Sequence, residues 1–345
     1  MWICKEINFV FNGKKYKGFK GDTLGSALLA NNVKLIGRSF KYHRPRGIFT
    51  SGSEEPSALV QLDEKKFTEP NIRATTVKLF DGLVANSQNH FGSLSWDFMR
   101  INDYLSTFLS TGFYYKTFMW PKSFWYKVYE PFIRKAAGFG VASIKHDQER
   151  YEHKYEYCDI LITGSGPSGL ASAYAAAKNG AKVILAEDKP RFGGSLLTSE
   201  VNIGNQSGKE WADKIITELR EMPNVIVKNR AQVFGYYDHN MLVMSERLND
   251  HLPKSKKYSP KQRLWYIRAK EVVISSGSIE RPLVFGNNDT PGVVLSSAAK
   301  EYLKVYGVLV GRNPLIFTNN DSGYETAIEF KKNGIWPIVL DTRSN

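Results

Sequence analysis

The chain has 345 residues, 42% of them hydrophobic and 23% charged, the make-up of a globular protein with room for two domains and a sizeable core. Its formal net charge of +13 is spread along the chain, and the one dense basic run is a single loop holding Lys254, Lys256, Lys257 and Lys261. The charge therefore reads as attraction for anionic cofactors or an acidic partner, and no nucleic-acid partner is expected.

Residues 5–19 alternate around Asn12-Gly13, which predicts a β-hairpin pairing Ile7, Phe9 and Phe11 with Tyr16 and Phe19. Thr23 then caps a short helix over 24–31. A hairpin followed by a helix opens a ferredoxin-like β-grasp domain, here assigned to 1–90, with further strands expected at 59–62 and 75–79. In a plant-type ferredoxin the loop after this helix carries cysteines. Here the loop is GRSFKYHRPRGIF, 37–49, with none. The chain holds only two cysteines, Cys4 and Cys158, against the roughly four ligands of a cluster or zinc site, so no iron–sulfur cluster is expected. His43 reads as a surface-loop histidine. Arg38, Lys41, Arg44 and Arg46 either reach a cofactor phosphate or a partner's acids, or form a solvated basic loop.

An aromatic-rich helical connector is expected over 91–150. Its densest part, GFYYKTFMWPKSFWYKVYEPF at 112–132, is too broken by Lys and Pro to cross a bilayer. Its rings either fill core or mark an inter-domain or inter-subunit surface. The polar stretch HDQERYEHKYEY, 146–157, reads as a linker. With Lys5 and Glu6 interrupting any signal-peptide core, and no membrane run, the expected compartment is the cytoplasm.

The third domain is assigned to 151–345. Its opening, DILITGSGPSGLASAYAAAKNGAKVILAE at 159–187, reads as strand, glycine turn, small-residue helix and a second strand ending on an acid. That order is the βαβ fingerprint for the ADP half of a dinucleotide. Gly164 permits the tight turn. Gly166 lets the backbone approach a pyrophosphate, and Gly169 lets the helix pack on the sheet. Pro167 suits the first helical position, and with Ser168 it opens a helix N-terminus that favours an anion. Glu187 accepts the hydroxyls of an adenosine ribose, pointing to NAD or FAD over NADP. Between those two the turn does not choose, because both present the same ADP half. No CxxC accompanies it, which removes dithiol disulfide-reductase chemistry.

After Glu187, RFGGSLL at 191–197 offers Gly194 and Ser195 as second-rank contacts. An amphipathic helix over 208–221 carries Trp211, Ile215, Ile216 and Leu219 on one face. Runs at 225–228, 232–237, 241–245 and 264–269 suggest a β-meander, and 271–275 returns as a central strand. That strand ends at Ser276 and Gly277, either beside the cofactor or in an ordinary strand-ending turn. A second βα unit is expected at 314–340. The chain stops soon after it, so the Rossmann-type domain is expected to be incomplete at its C-terminus.

Several long strings, GRSFKYHRPRGIF, GFYYKTFMWP, DILITGSGPSGL and ERPLVFGNNDTPGV, together resemble the α subunit of heterotetrameric sarcosine oxidase. The resemblance runs from about residue 7 to the last residue. Relatives of that architecture act on dimethylglycine, proline, octopine or nopaline, and glycine. The resemblance implies an α/β chain in which a β-grasp domain precedes an FAD/NAD(P)-binding domain holding NAD, with FAD as the alternative in the same site. It implies FMN at the interface with the β subunit, amine oxidation in that subunit, and further γ and δ subunits. A C-terminal folate-binding domain is implied by the family, and it is expected to be missing from this sequence. A stand-alone FAD-dependent NAD(P)H reductase is the competing reading. The cofactor-binding residues carried over are Gly164, Gly166, Pro167, Ser168, Gly169, Glu187, Gly194, Ser195, Ser276 and Gly277; no catalytic acid or base is named.

Overall fold

The computed structural model describes residues 5–64, 67–147, 149–250 and 259–343; Cys4 and most of the 254–261 lysine run lie outside them. The chain forms two compact units, the first built from Met1–Asp147 and Arg281–Asn345 and the second from Gln148–Glu280.

In the first unit, β1 (Glu6–Phe11) and β2 (Lys14–Phe19) form the expected hairpin, with Asn12 and Gly13 both at positive φ. The register sets Phe9 opposite Tyr16 and Ile7 opposite Gly18. Phe19 lies instead opposite Glu6 and is exposed, which corrects its expected pairing with the apolar residues of β1. Being an odd number of residues from Tyr16, it points to the other face. Helix α1 (Leu24–Ala30) starts with a reciprocal capping box between Thr23 and Ser26. Strands β3 (Leu59–Glu64), β4 (Phe67–Arg73) and β5 (Leu83–Ser87) complete a sheet of order β2-β1-β5-β3-β4, in which β1 and β5 run parallel. This is the β-grasp arrangement. Residues 75–79 form only a bridge from Lys78 to Thr23, and β4 and β5 take the places expected of them.

Residues 96–137 follow as short turns of helix, at Ile101–Tyr104, Phe113–Thr117 and Trp125–Tyr129, ending in α2 (Glu130–Ala137).

The second unit is one six-stranded sheet. It begins with β6 (Tyr151–Thr163), whose first half occupies the stretch read as a linker. Its alternation of Tyr and His with Glu and Lys carries no apolar face, yet every residue from Tyr151 to Cys158 pairs with the neighbouring strand. Helix α3 (Pro167–Lys178) leads to β7 (Val183–Ala186), and α4 (Gly208–Glu221) to β8 (Val225–Lys228). These three strands are parallel, so two successive crossovers build a β-α-β-α-β half. Buried Ile215, Ile216 and Leu219 lay α4 on the sheet, and Trp211 packs there half-buried.

Strands β9 (Ala231–Tyr237) and β10 (Met241–Arg247) form a hairpin beside β11 (Gln262–Ile274). The sheet order is β8-β7-β6-β11-β10-β9. The last run of the meander and the returning central strand are therefore one continuous strand, β11, antiparallel to β10 and parallel to β6. Strand β8 stands apart from the meander, at the parallel edge.

The chain then returns to the first unit. Helix α5 (Ser296–Tyr306) sends Ala298 and Tyr302 into the β-grasp core beside Phe9, Leu28 and Ile48, and the Tyr302 hydroxyl donates to the Thr50 carbonyl at 2.8 Å. The second βα unit is present as β12 (Leu315–Thr318), α6 (Ser322–Lys332) and β13 (Ile338–Asp341), the two strands parallel. No helix among the described residues is long and apolar enough to cross a membrane.

Candidate functional site

The sheet of the second unit reverses its winding direction at β6. From β6 the chain crosses by α3 to β7 on one side, while β11 lies on the other. In open α/β sheets the crevice beyond the carboxyl ends of two such strands is where ligands bind. The carboxyl ends here are Thr163 and Ile274, and the turns beyond them carry the glycines singled out from sequence.

The three glycines of the turn have separate physical reasons. Gly164 has φ +95°, and a Cβ there would stand 2.3 Å from the Ser275 carbonyl oxygen. A Cβ on Gly169 would stand 2.0 Å from the Gly164 carbonyl oxygen, so the helix can approach the turn only as glycine. A Cβ on Gly166 would meet nothing within 4 Å: this glycine faces open space. Beside that space lies Gly194, at φ +52°, whose own Cβ would come within 2.8 Å of the Gly166 Cα. Gly166 is also the N-cap of α3 and offers no side chain to the first turn. The first N–H groups of the helix are left to a ligand or to water. Pro167 and Ser168 are exposed on that first turn, as are Ser195, Ser276 and Gly277 at the rim.

Glu187 directly follows β7 and is buried. Its Oε2 accepts from the Ser165 amide at 2.9 Å and the Ser165 hydroxyl at 2.6 Å, and its Oε1 accepts from the Lys189 amide at 2.9 Å. Burial pushes this carboxyl above the usual range, and the bonds from Ser165 and Lys189 pull it back. Ser165 was not among the sequence candidates, although it sits inside the glycine motif. It joins the turn to Glu187, and its carbonyl accepts from Gly193 at 3.0 Å, fixing the 193–197 loop. The structure thus brings Gly164, Gly166, Gly169, Glu187, Gly194 and Ser276 into one neighbourhood. The cradle has no side chain at its centre, and the N-terminus of α3, without a side-chain cap, opens beside it, an arrangement suited to an anionic group.

The loop 37–49 differs from its reading as a basic surface. His43 is fully buried, which corrects its expectation as a surface histidine. Its Nδ1 lies 2.6 Å from Asp97 Oδ2 and its Nε2 lies 2.8 Å from the Ala136 carbonyl oxygen. Arg38, also buried, donates to the carbonyls of His43 and Leu94 and stands 3.6 Å from Asp97. Arg44 and Arg46 pair with Asp289. Lys41 donates to the Ser110 carbonyl. The four cations are therefore engaged within the chain.

Over 98% of its length the chain is 48% identical to sarcosine oxidase subunit alpha of Rhizobium meliloti (strain 1021). It is a homologue of sarcosine oxidase α subunits. The subunit from Corynebacterium sp. (strain U-96) is 33% identical over 98% of the chain. The chain spans about a third of the length of these curated relatives, 34% and 31%. Residues 159–248 match a family of FAD dependent oxidoreductases. Among solved structures, L-proline dehydrogenase from P. horikoshii superposes with a TM-score of 0.67 at 20% identity, covering 99% of this chain and 56% of that one, a likeness of fold.

Residues 4–90 match a family described as a 2Fe-2S iron-sulfur cluster binding domain. That match corrects the expectation of a module without a cluster, which rested on counting cysteines. Between residues 4 and 90 the sequence supplies one cysteine, Cys4, and among the described residues no three His, Cys, Asp or Glu side chains gather as a metal site would need. This donor set does not fit a four-thiolate centre.

Proposed function

We propose that the chain is the dinucleotide-binding part of a sarcosine oxidase-type α subunit, serving the oxidative demethylation of sarcosine. The observation that carries the site is the open space at Gly166, framed by Gly164, Gly169 and Gly194 at the point where the sheet changes direction. Pro167, Ser168 and the first amides of α3 face the pyrophosphate, and Glu187, held by Ser165 and Lys189 just beyond β7, is the acid assigned to the adenosine ribose. Ser195, Ser276 and Gly277 line the outer rim. A dinucleotide bound there supplies hydride or electron chemistry; the residues of this chain bind and orient it.

The finer assignments belong to the same reading. They are NAD in the Gly164 turn with FAD as its alternative, FMN shared with a β subunit, tetrahydrofolate at the level of the whole assembly, γ and δ partners, and a cytoplasmic setting. So does the division into 1–90, 91–150 and 151–345, with 281–345 returning to the first compact unit. The 48% identity to a named α subunit supports sarcosine as substrate over opines or proline.

Calorimetric titration of the purified chain with NAD, FAD and ADP-ribose tests the site. Binding of at least one, lost in Gly166→Val, is the expected result. Absence of binding by all three would overturn it, and a visible flavin spectrum of the purified chain would decide FAD over NAD.

A further inference from the structure

From Tyr104 to Tyr129 the sequence contains eleven aromatic residues, three lysines and no acid in 26 positions. Trp120, Tyr126 and Phe108 are 84%, 83% and 81% exposed. Isolated exposed rings are ordinary, but a contiguous set this dense marks an interaction surface.

The segment is fixed in place. Tyr42 and Lys41 hold the carbonyls of Leu109 and Ser110 at 2.7 and 2.9 Å, and Asn102 donates back to the Lys41 carbonyl. The Tyr129 hydroxyl donates to the Trp120 carbonyl, and the rings of Phe118 and Tyr129 pack with centroids 5.1 Å apart. The buried contacts of His43 with Asp97 and the Ala136 carbonyl fasten both ends of the segment to the β-grasp module.

We propose that the exposed face of 104–129 is a preformed docking platform for a protein subunit whose contact surface is apolar with an acidic rim. The inference rests on the reading of the chain as one subunit of an oxidase assembly. Rigid aromatic anchors lose little entropy on binding, which is how a few residues come to carry most of an interface. Exposed Lys122 and Lys127, with no acid among the rings, call for acidic groups opposite. A lipid surface would suit the composition, but membrane-surface segments lay down one continuous amphipathic helix. This segment is broken into separate pieces at 101–104, 113–117 and 125–137, the last running on into α2.

The test is co-expression of the full chain with the sarcosine oxidase β, γ and δ subunits of its own genome. The native chain is compared with Trp120→Glu/Tyr126→Glu and with Phe234→Glu, an exposed aromatic of the other unit. Because the substituted rings are solvent-facing, circular dichroism and melting should not change. The double variant should lose about tenfold or more in co-purified partner, while Phe234→Glu assembles as the native chain does. A double variant that assembles normally would overturn the platform and leave the oxidase reading standing. Transfer of the native chain to phosphatidylglycerol vesicles, abolished in the double variant, would replace the protein partner by a membrane. Self-association abolished in the double variant would replace it by a second copy. Failure of the native chain to assemble would overturn the oxidase reading, and the platform with it.

Discussion

The glycines of the 164–169 turn separate binding from folding, because only one of them faces empty space. Gly166→Val should abolish dinucleotide binding with the melting temperature little changed, since its Cβ meets nothing within 4 Å. Gly169→Ala should do the opposite first. Its Cβ would collide with the Gly164 carbonyl at 2.0 Å, and the turn must open, so a melting temperature several degrees lower is expected. Parallel calorimetry and thermal melts check both, and equal melting of the two variants would contradict the assignment. Cys158 gives a pH-dependent case. Burial pushes its thiol up to about 12 from a reference of 9.0. The folded chain thus holds this proton more tightly than the unfolded chain does. The contribution to stability is complete below pH 9 and is lost as the pH rises toward 12. At pH 8 the thiol should resist alkylation in the folded chain and react promptly once urea unfolds it.

At the scale of elements, the sequence was most legible where a local pattern and the packing agree. Helix α4 runs over the expected residues because Ser207 and Glu210 form a reciprocal cap and one apolar stripe meets the sheet. It failed where burial is decided from afar. His43 lies in a basic loop, and nothing near it in sequence announces Asp97, 54 residues on, which accepts from its ring. The first half of β6 was read as a linker because its exposed faces carry charges and tyrosines. Pairing with β11 and the stacking of Tyr155 on Tyr266 at 5.0 Å make it a strand. The strand, glycine turn, helix and second strand of 159–186 were legible almost whole, while the tie through Ser165 needed three dimensions. Asp97 tests the buried cluster directly. Besides His43 it accepts from the amides of Phe91 and Met99 and stands beside Arg38. Asp97→Ala strands His43 and Arg38 among buried surfaces, and a loss of about 3–5 kcal/mol in a urea titration is expected. Hydrogen exchange should rise together over 37–46 and 91–100.

At the scale of the whole molecule, the first unit is discontinuous: its β-grasp core is finished by α5, which lies beyond the entire second unit in sequence. Leu295, Ala298, Tyr302 and Val308 are all buried in that core. Fully burying one large apolar side chain stabilises by about 1.5–3 kcal/mol. Residues 1–147 expressed alone should therefore melt well below a chain in which a short flexible linker joins 147 to 281. Equal melting of the two would show that α5 adds nothing to the core.

The same interleaving sets a clock for the ribosome. The module that is made first waits for its last helix until Gln148–Glu280 has been translated, about 7 to 27 s at roughly 5–20 residues per second. During that wait the groove meant for Tyr302 stays open beside a nascent chain. The inserted sheet, whose strands all fall between 151 and 274, has time to assemble before the groove closes. Order of birth and order of completion are thus reversed: the domain begun second is finished first.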